Sequence, residues 1–163
     1  MKISIGTDAH PGYSLPGAKG FGAQLIEVGM LARRLLAYVW AFPTTFLGLL
    51  FIPESLLSGD VRRVKGVLEV HGRLARFFLT HCTLLEGGAS AMTLGHVVLG
   101  RDQRLLDATR THERVHVRQC ERWGPFFIPA YFTMGALAWF RGRRAYEDNP
   151  FEREAYGETA RGT

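Results

Sequence analysis

Two long uncharged stretches frame the chain, and between them the apolar positions come in shorter bursts. The first stretch, residues 35–52, reads LLAYVWAFPTTFLGLLFI. As a helix, 18 residues reach about 27 Å, close to the hydrocarbon thickness of a bilayer. Residues 23–53 are therefore predicted to form an apolar helix and a candidate membrane anchor, kinked at Pro43. A buried core helix broken at that proline is the alternative. Cations stand on both sides, Arg33 and Arg34 before and Arg62, Arg63 and Lys65 after, so charge does not choose an orientation. The second stretch, residues 125–140, would reach only about 24 Å and contains Pro129. It is expected to dip into a membrane and return, to lie along its surface, or to pack as a core helix.

Between the two, residues 61–100 alternate short β-branched and aromatic runs with glycine, a pattern that predicts a small β-meander with strands near 64–71, 74–84 and 90–99. His71, His81 and His96 fall in these strands without a partner at metal-ligand spacing, and read as ordinary strand residues. The strand ending at Gly100 is a candidate edge for holding an extended peptide. Helical periodicity then runs from an N-cap at Asp102 through Leu105, Leu106, Thr109, His112, His116 and Gln119 to a stop at Gly124-Pro125. A last helix starts at Asn149-Pro150, with glutamates in its first turn. The fold class expected is α+β: a β-meander packed with the histidine helix and the C-terminal glutamate helix, preceded by the apolar helix. Residues 1–22, rich in Gly and Pro, read as a flexible arm, 23–53 as the apolar helix, and 54–163 as the functional domain.

Composition narrows the partners. At 163 residues and 47% hydrophobic, the chain can build one real core. Its net charge of +5 is carried almost entirely by arginine. These arginines are scattered among apolar runs without the aromatic-basic pattern of a nucleic-acid module, which favours an anionic membrane surface over specific nucleic-acid binding. Cys82 and Cys120 are far apart and form no C-x-x-C pair. No phosphate-binding glycine loop or nucleophile elbow is present.

The chemistry lies in Thr111-His112-Glu113-Arg114-Val115-His116. On a helix, residues four apart share a face, so His112 and His116 can direct ring nitrogens at one metal ion. Glu113 stands about 100° round the helix, placed to exchange protons with a water beside that ion. Gln119, one turn beyond His116, is a candidate hydrogen-bonding partner for a ligand or substrate. Arg110, Arg114 and Arg118 form a stripe nearly opposite, which must meet water, lipid head groups or acidic side chains.

H-E-x-x-H followed some tens of residues later by Glu152-Arg153-Glu154-Ala155 resembles the gluzincin zinc metallopeptidases, notably their small and membrane-associated members, over about residues 90–157. The run from His112 to Gln119 and Gly124-Pro125 is also similar to small bacterial membrane-associated proteins of unassigned function. The resemblance implies Zn2+ held by His112, His116 and Glu152, with Glu154 as the runner-up ligand and Glu113 as general base. It implies a peptide or protein substrate and a place at a bacterial inner membrane, with the cytoplasm as the alternative. The chain departs from the pattern at Tyr156, where those families carry Asp or Asn to support a metal-binding histidine. Asp107 or Asp148 would then supply that support, Tyr156 could donate to an oxyanion, the site is a zinc-binding one without turnover, or the chain is a small membrane-associated protein without enzyme activity.

Overall fold

The computed structural model describes residues 18–83, 85 and 87–161. The chain divides into two compact units, Met1–Arg34 and Leu35–Thr163. Of the arm expected over 1–22, residues 1–17 lie outside the described residues, and 18–22 open a helix, α1, Ala18–Trp40. Within the first unit, Leu25, Ile26, Val28, Met30 and Leu31 of α1 are exposed.

The apolar helix expected over 23–53 is instead three helices. After α1 come α2, Phe42–Leu49, and α3, Ile52–Ser58, each with a proline, Pro43 or Pro53, in its first turn. Proline is tolerated there because the first turn has no intrahelical partner for the missing N–H. No single described helix is long and apolar enough to cross a membrane; Ala23–Trp40 and Phe42–Ser58 pass together by length and composition, with a bend of 62°.

The sheet is α+β architecture with a different connection from a meander. Strands β1, Asp60–Val64, and β2, Val67–His71, form an antiparallel hairpin. Its two turn residues, Lys65 and Gly66, have φ of 47° and 85°. Two consecutive positive φ values make the turn whose twist matches paired strands, and this is what splits the run expected as one strand over 64–71. Residues Arg73–His81 are a helix, α4, where a strand was expected. The apolar pair Phe77-Phe78 suggested a β run, but Ala75 and Leu79, four apart, are the positions buried. Residues 90–99 likewise split into β3, Ala91–Leu94, and β4, Val97–Gly100.

The strand order is β1-β2-β4-β3, with β2 and β4 parallel and the outer pairs antiparallel. A meander has no parallel neighbours; here α4 and β3 lie between β2 and its partner in the chain. β4 is central and buried along its whole length, as its apolar run requires. Val70, Val97 and Leu99 face a core shared with Ala75 and Leu79 of α4. Val67 and Val98 face the opposite side, against Leu106 and Val117 of the long helix α5, Gln103–Trp123.

Asp102 caps α5 by accepting from the Leu105 N–H at 2.9 Å, and Gly124 ends it. A 3-10 turn, Gly124–Phe126, leads into α6, Phe127–Phe140, and the chain closes with α7, Pro150–Arg161. Buried Asn149 fixes the start of α7: its Oδ1 accepts from the Phe151 N–H, and its Nδ2 donates to the Tyr131 carbonyl. A core of Ala41, Cys120, Phe127 and Phe151 joins α5, α6 and α7. That junction positions the site.

Candidate metal centre

His112 and His116 lie on one face of α5, and Glu152 enters from the first turn of α7. The two imidazole Nε2 atoms are 3.1 Å apart. Glu152 Oε2 is 3.2 Å from His112 Nε2, and Oε1 is 3.3 Å from His116 Nε2. One ligand atom from each residue fits within a 4.8 Å cluster, so the group could hold a metal ion.

The fit can be tested on distances. A tetrahedral ion with bonds of about 2.0–2.2 Å has ligand-to-ligand edges of about 3.3–3.6 Å. The imidazole pair, at 3.1 Å, is within a few tenths of an ångström of that edge, each imidazole meets one of the two carboxylate oxygens at 3.2 or 3.3 Å, and one ligand atom from each residue fits within 4.8 Å. Glu152 Oε2 is also a buried acceptor with no aligned hydrogen bond, whereas Oε1 accepts from the Tyr131 hydroxyl at 2.6 Å. Its nearest polar neighbour is His112 Nε2 at 3.2 Å, and a cation between the imidazoles and the carboxylate would satisfy this buried oxygen more fully.

The surroundings set the protonation of each group. Burial works to raise the Glu152 carboxyl, but hydrogen bonds from His112 and His116, the charge of His116, and Tyr131 hold it well below the usual carboxylate range. Burial lowers His116, and the Glu152 hydrogen bond with the charges of Glu113 and Glu152 outweighs it, so the imidazole titrates above its ordinary value. Glu113 is fully enclosed, and burial raises its carboxyl against the opposing pull of His116, of a Thr93 hydrogen bond and of His112. Thr93, on β3, donates to Glu113 Oε2 at 2.7 Å.

Gln119 decides the tautomer of His116. Its Nε2 donates to the Phe151 carbonyl and to Glu154 Oε2, both at 3.0 Å, so its Oε1 is the atom facing His116 Nδ1 at 2.8 Å. A carbonyl oxygen only accepts, which keeps a proton on Nδ1, so that the proton His116 gives up is the Nε2 one and the lone pair freed is the one a metal would take.

The other residues singled out from the sequence lie as follows. Glu154 belongs to the Gln119 chain and to Arg122, at 3.2 Å, apart from the three-residue group. The Tyr156 ring lies 4.7 Å from that of His112, and its hydroxyl is 3.5 Å from that of Tyr146. Asp107 accepts from Gln103 and Arg110, and Asp148 from the Arg144 N–H. The side chain hydrogen-bonded to His116 Nδ1 is Gln119, so neither Asp107 nor Asp148 supports His116 there. The strand ending at Gly100 is β4, which is interior; the edge beside the helix is β3. The arginine stripe meets acids and backbone: Arg110 holds buried Glu69 through two hydrogen bonds of 2.7 and 2.8 Å, Arg118 pairs with Glu158, and Arg114 donates to the carbonyls of Val64 and Lys65. His96 is buried, stacked on Tyr38 at 3.9 Å and 3.1 Å from Glu121. His71 and His81 are outside the three-residue group. Burial pushes the Cys120 thiol up to about 12, which keeps it protonated at neutral pH.

Sequence reasoning missed Tyr131, Tyr146 and Thr93, and read Asn149 only as the start of a helix. Tyr131 sits in the uncharged 125–140 run, where it is the only phenol; a single hydroxyl in an apolar run needs a buried partner, and that was the available signal. The tyrosine hydroxyls of Tyr131 and Tyr146 titrate above their ordinary value, first through burial and then through Glu152 and Tyr156 respectively. Compared with protein-family models, curated proteins and solved structures, the chain matches none.

Proposed function

We propose that the chain is a zinc-dependent peptide hydrolase that works at a membrane surface. The observation that carries this reading is the buried group of two imidazole nitrogens and one carboxylate, with contacts of 3.1 to 3.3 Å. Two histidines, one carboxylate and an open fourth position is the donor set of hydrolytic zinc. Bound there, zinc would bring the acidity of a water toward neutrality and polarise a carbonyl.

The remaining work falls to the chain's own residues. Glu113, with burial raising its proton affinity, takes the proton from the attacking water. Hydroxide oxygen bonds to the scissile carbonyl carbon, the C–N bond breaks, and Glu113 passes the proton to the departing amine. Thr93 holds Glu113 Oε2 in place, and β3, the terminal strand of the sheet beside α5, is the strand an extended substrate would pair with. The metal content of the purified chain tests the first half: about one zinc per chain in the wild type, lost in His116→Ala. Glu113→Gln tests the second: it should keep the zinc and lose peptide hydrolysis, and a fully active variant would refute the assignment.

A second reading is favoured by one departure. With Tyr156 against His112 where the families keep an acid or amide, the chain would bind zinc without turnover. Stoichiometric zinc with no cleavage of any peptide library supports it.

A further inference from the structure

Tyr131 ties one side of α6 to the candidate metal group; among the described residues the other side has no partner. Phe127, Gly135 and Ala138 are buried, and Tyr131 on the same side holds Glu152. Facing away, Phe132 is 53% exposed, Leu137 38%, Trp139 64% and Phe140 77%. No charged residue interrupts the 14 residues of the helix. A helix apolar on every side calls for an apolar environment on every side.

We propose that this outer face docks on an anionic lipid bilayer. Two features select lipid over a protein partner. The outward polar group, Thr133, spends its hydroxyl on the Pro129 carbonyl at 2.8 Å, so the face offers little directional recognition, and hydrocarbon needs none. At the end of α6 the composition changes at once: the aromatic pair Trp139-Phe140 is followed by Arg141, Arg143 and Arg144. Arg144 pairs with Glu147, but Arg141 and Arg143 are exposed and in no ion pair among the described residues. Apolar, then indole, then guanidinium is the order of chemistries met on passing from acyl chains to lipid phosphates. The chain's net charge of +5 acts in the same direction.

This deepens the membrane reading and rests on it, while being independent of metal and turnover. It also defines a substrate class. The inner side of α6 holds a metal ligand, so docking puts the centre about one helix diameter, roughly 10 Å, from the lipid. A substrate is then a polypeptide segment emerging from the bilayer surface.

The test uses the full chain with Trp40→Phe and Trp123→Phe, which leaves Trp139 as its single indole. It is mixed with phosphatidylcholine–phosphatidylglycerol vesicles brominated along the acyl chains. Trp139 emission should shift to the blue and fall roughly twofold, because bromine quenches only an indole in the interfacial acyl region. Arg141→Gln with Arg143→Gln, or vesicles without the anionic lipid, should remove most of that loss. Unquenched Trp139 on chain that nonetheless sediments with the vesicles would overturn the α6 assignment while leaving membrane association by another segment. Chain that stays in the supernatant would overturn both. Unquenched emission with crosslinking between α6 faces would assign the surface to a second copy. If the double phenylalanine variant does not fold, Trp139→Phe in the otherwise natural chain reads the same quantity as a lost quenched fraction.

Discussion

Tyr131→Phe removes a single oxygen from the hydrogen bond that aims Glu152, and its effect on zinc binding can be worked from the geometry. The phenol donates to Oε1 at 2.6 Å, and the carboxylate is 2% exposed as a residue. Phenylalanine keeps the ring contacts with Phe127 and Phe151 and leaves Oε1 without its donor. A hydrogen bond to a buried charged acceptor contributes about 1.5–3 kcal/mol. Part of that is lost from the metal-free fold. The part specific to the metal is the freedom the carboxylate gains to rotate away from the two imidazoles. Partners of this kind contribute roughly 10–100-fold to metal affinity. Competition against zinc is not the cause: Tyr131 is a lesser contributor to the lowering of the Glu152 carboxyl, behind the histidines, so Glu152 stays ionised at neutral pH without it. The assay is zinc titration against a chromophoric chelator at neutral pH, with thermal unfolding of the metal-free chain alongside. Zinc binding weakened by roughly 10–100-fold is expected. An affinity within about threefold of the wild type, with only the unfolding midpoint lowered, would refute the reasoning and leave Tyr131 a packing residue.

Further outcomes follow from other contacts. Gln119→Leu frees the His116 tautomer and should weaken zinc binding by about tenfold or more in the same titration. Arg110→Ala strands buried Glu69 and should cost roughly 2–5 kcal/mol in denaturant unfolding, with much of it recovered by adding Glu69→Leu. Gly124→Ala should destabilise by more than about 1 kcal/mol, because φ there is 56° and the new methyl carbon would stand 2.4 Å from the Trp40 ring. Glu152 is held below its unfolded carboxyl value, so its contribution to the metal-free fold is present above about pH 4.3 and is lost as pH falls through the lowered folded value. Acid titration of Glu152→Gln beside the wild type should show a correspondingly flatter acid limb.

What could be read from the sequence was what one helix decides by itself. Asp102 and Gly124 bound α5 because capping and the end of a helical period are local, and His112 and His116 share a face because 3.6 residues make a turn. The sheet was not legible in the same way. Its strands are four or five residues long, and the pairing that orders it, β2 with β4, joins residues about thirty apart that no local period marks. α4 was misread because the aromatic pair Phe77-Phe78 was given strand weight, although Arg73, Arg76 and Thr80 recur at helical spacing and Ala75 and Leu79, four apart, are the positions buried. The third member of the metal group shows where the two kinds of information meet. Glu152 and Glu154 are two residues apart, so a helix turns them about 200° from each other, and only one can face the histidines. Which one faces them depends on where α7 begins and how it lies on α5, and that is set by Asn149 reaching both the Phe151 N–H and the Tyr131 carbonyl, with Gln119 bonded to the Phe151 carbonyl. The same junction brings the Tyr131 hydroxyl onto Glu152 from 21 residues away in the chain. A histidine pair is thus a property of one turn of helix, whereas a group of three candidate ligands is a property of how three helices meet.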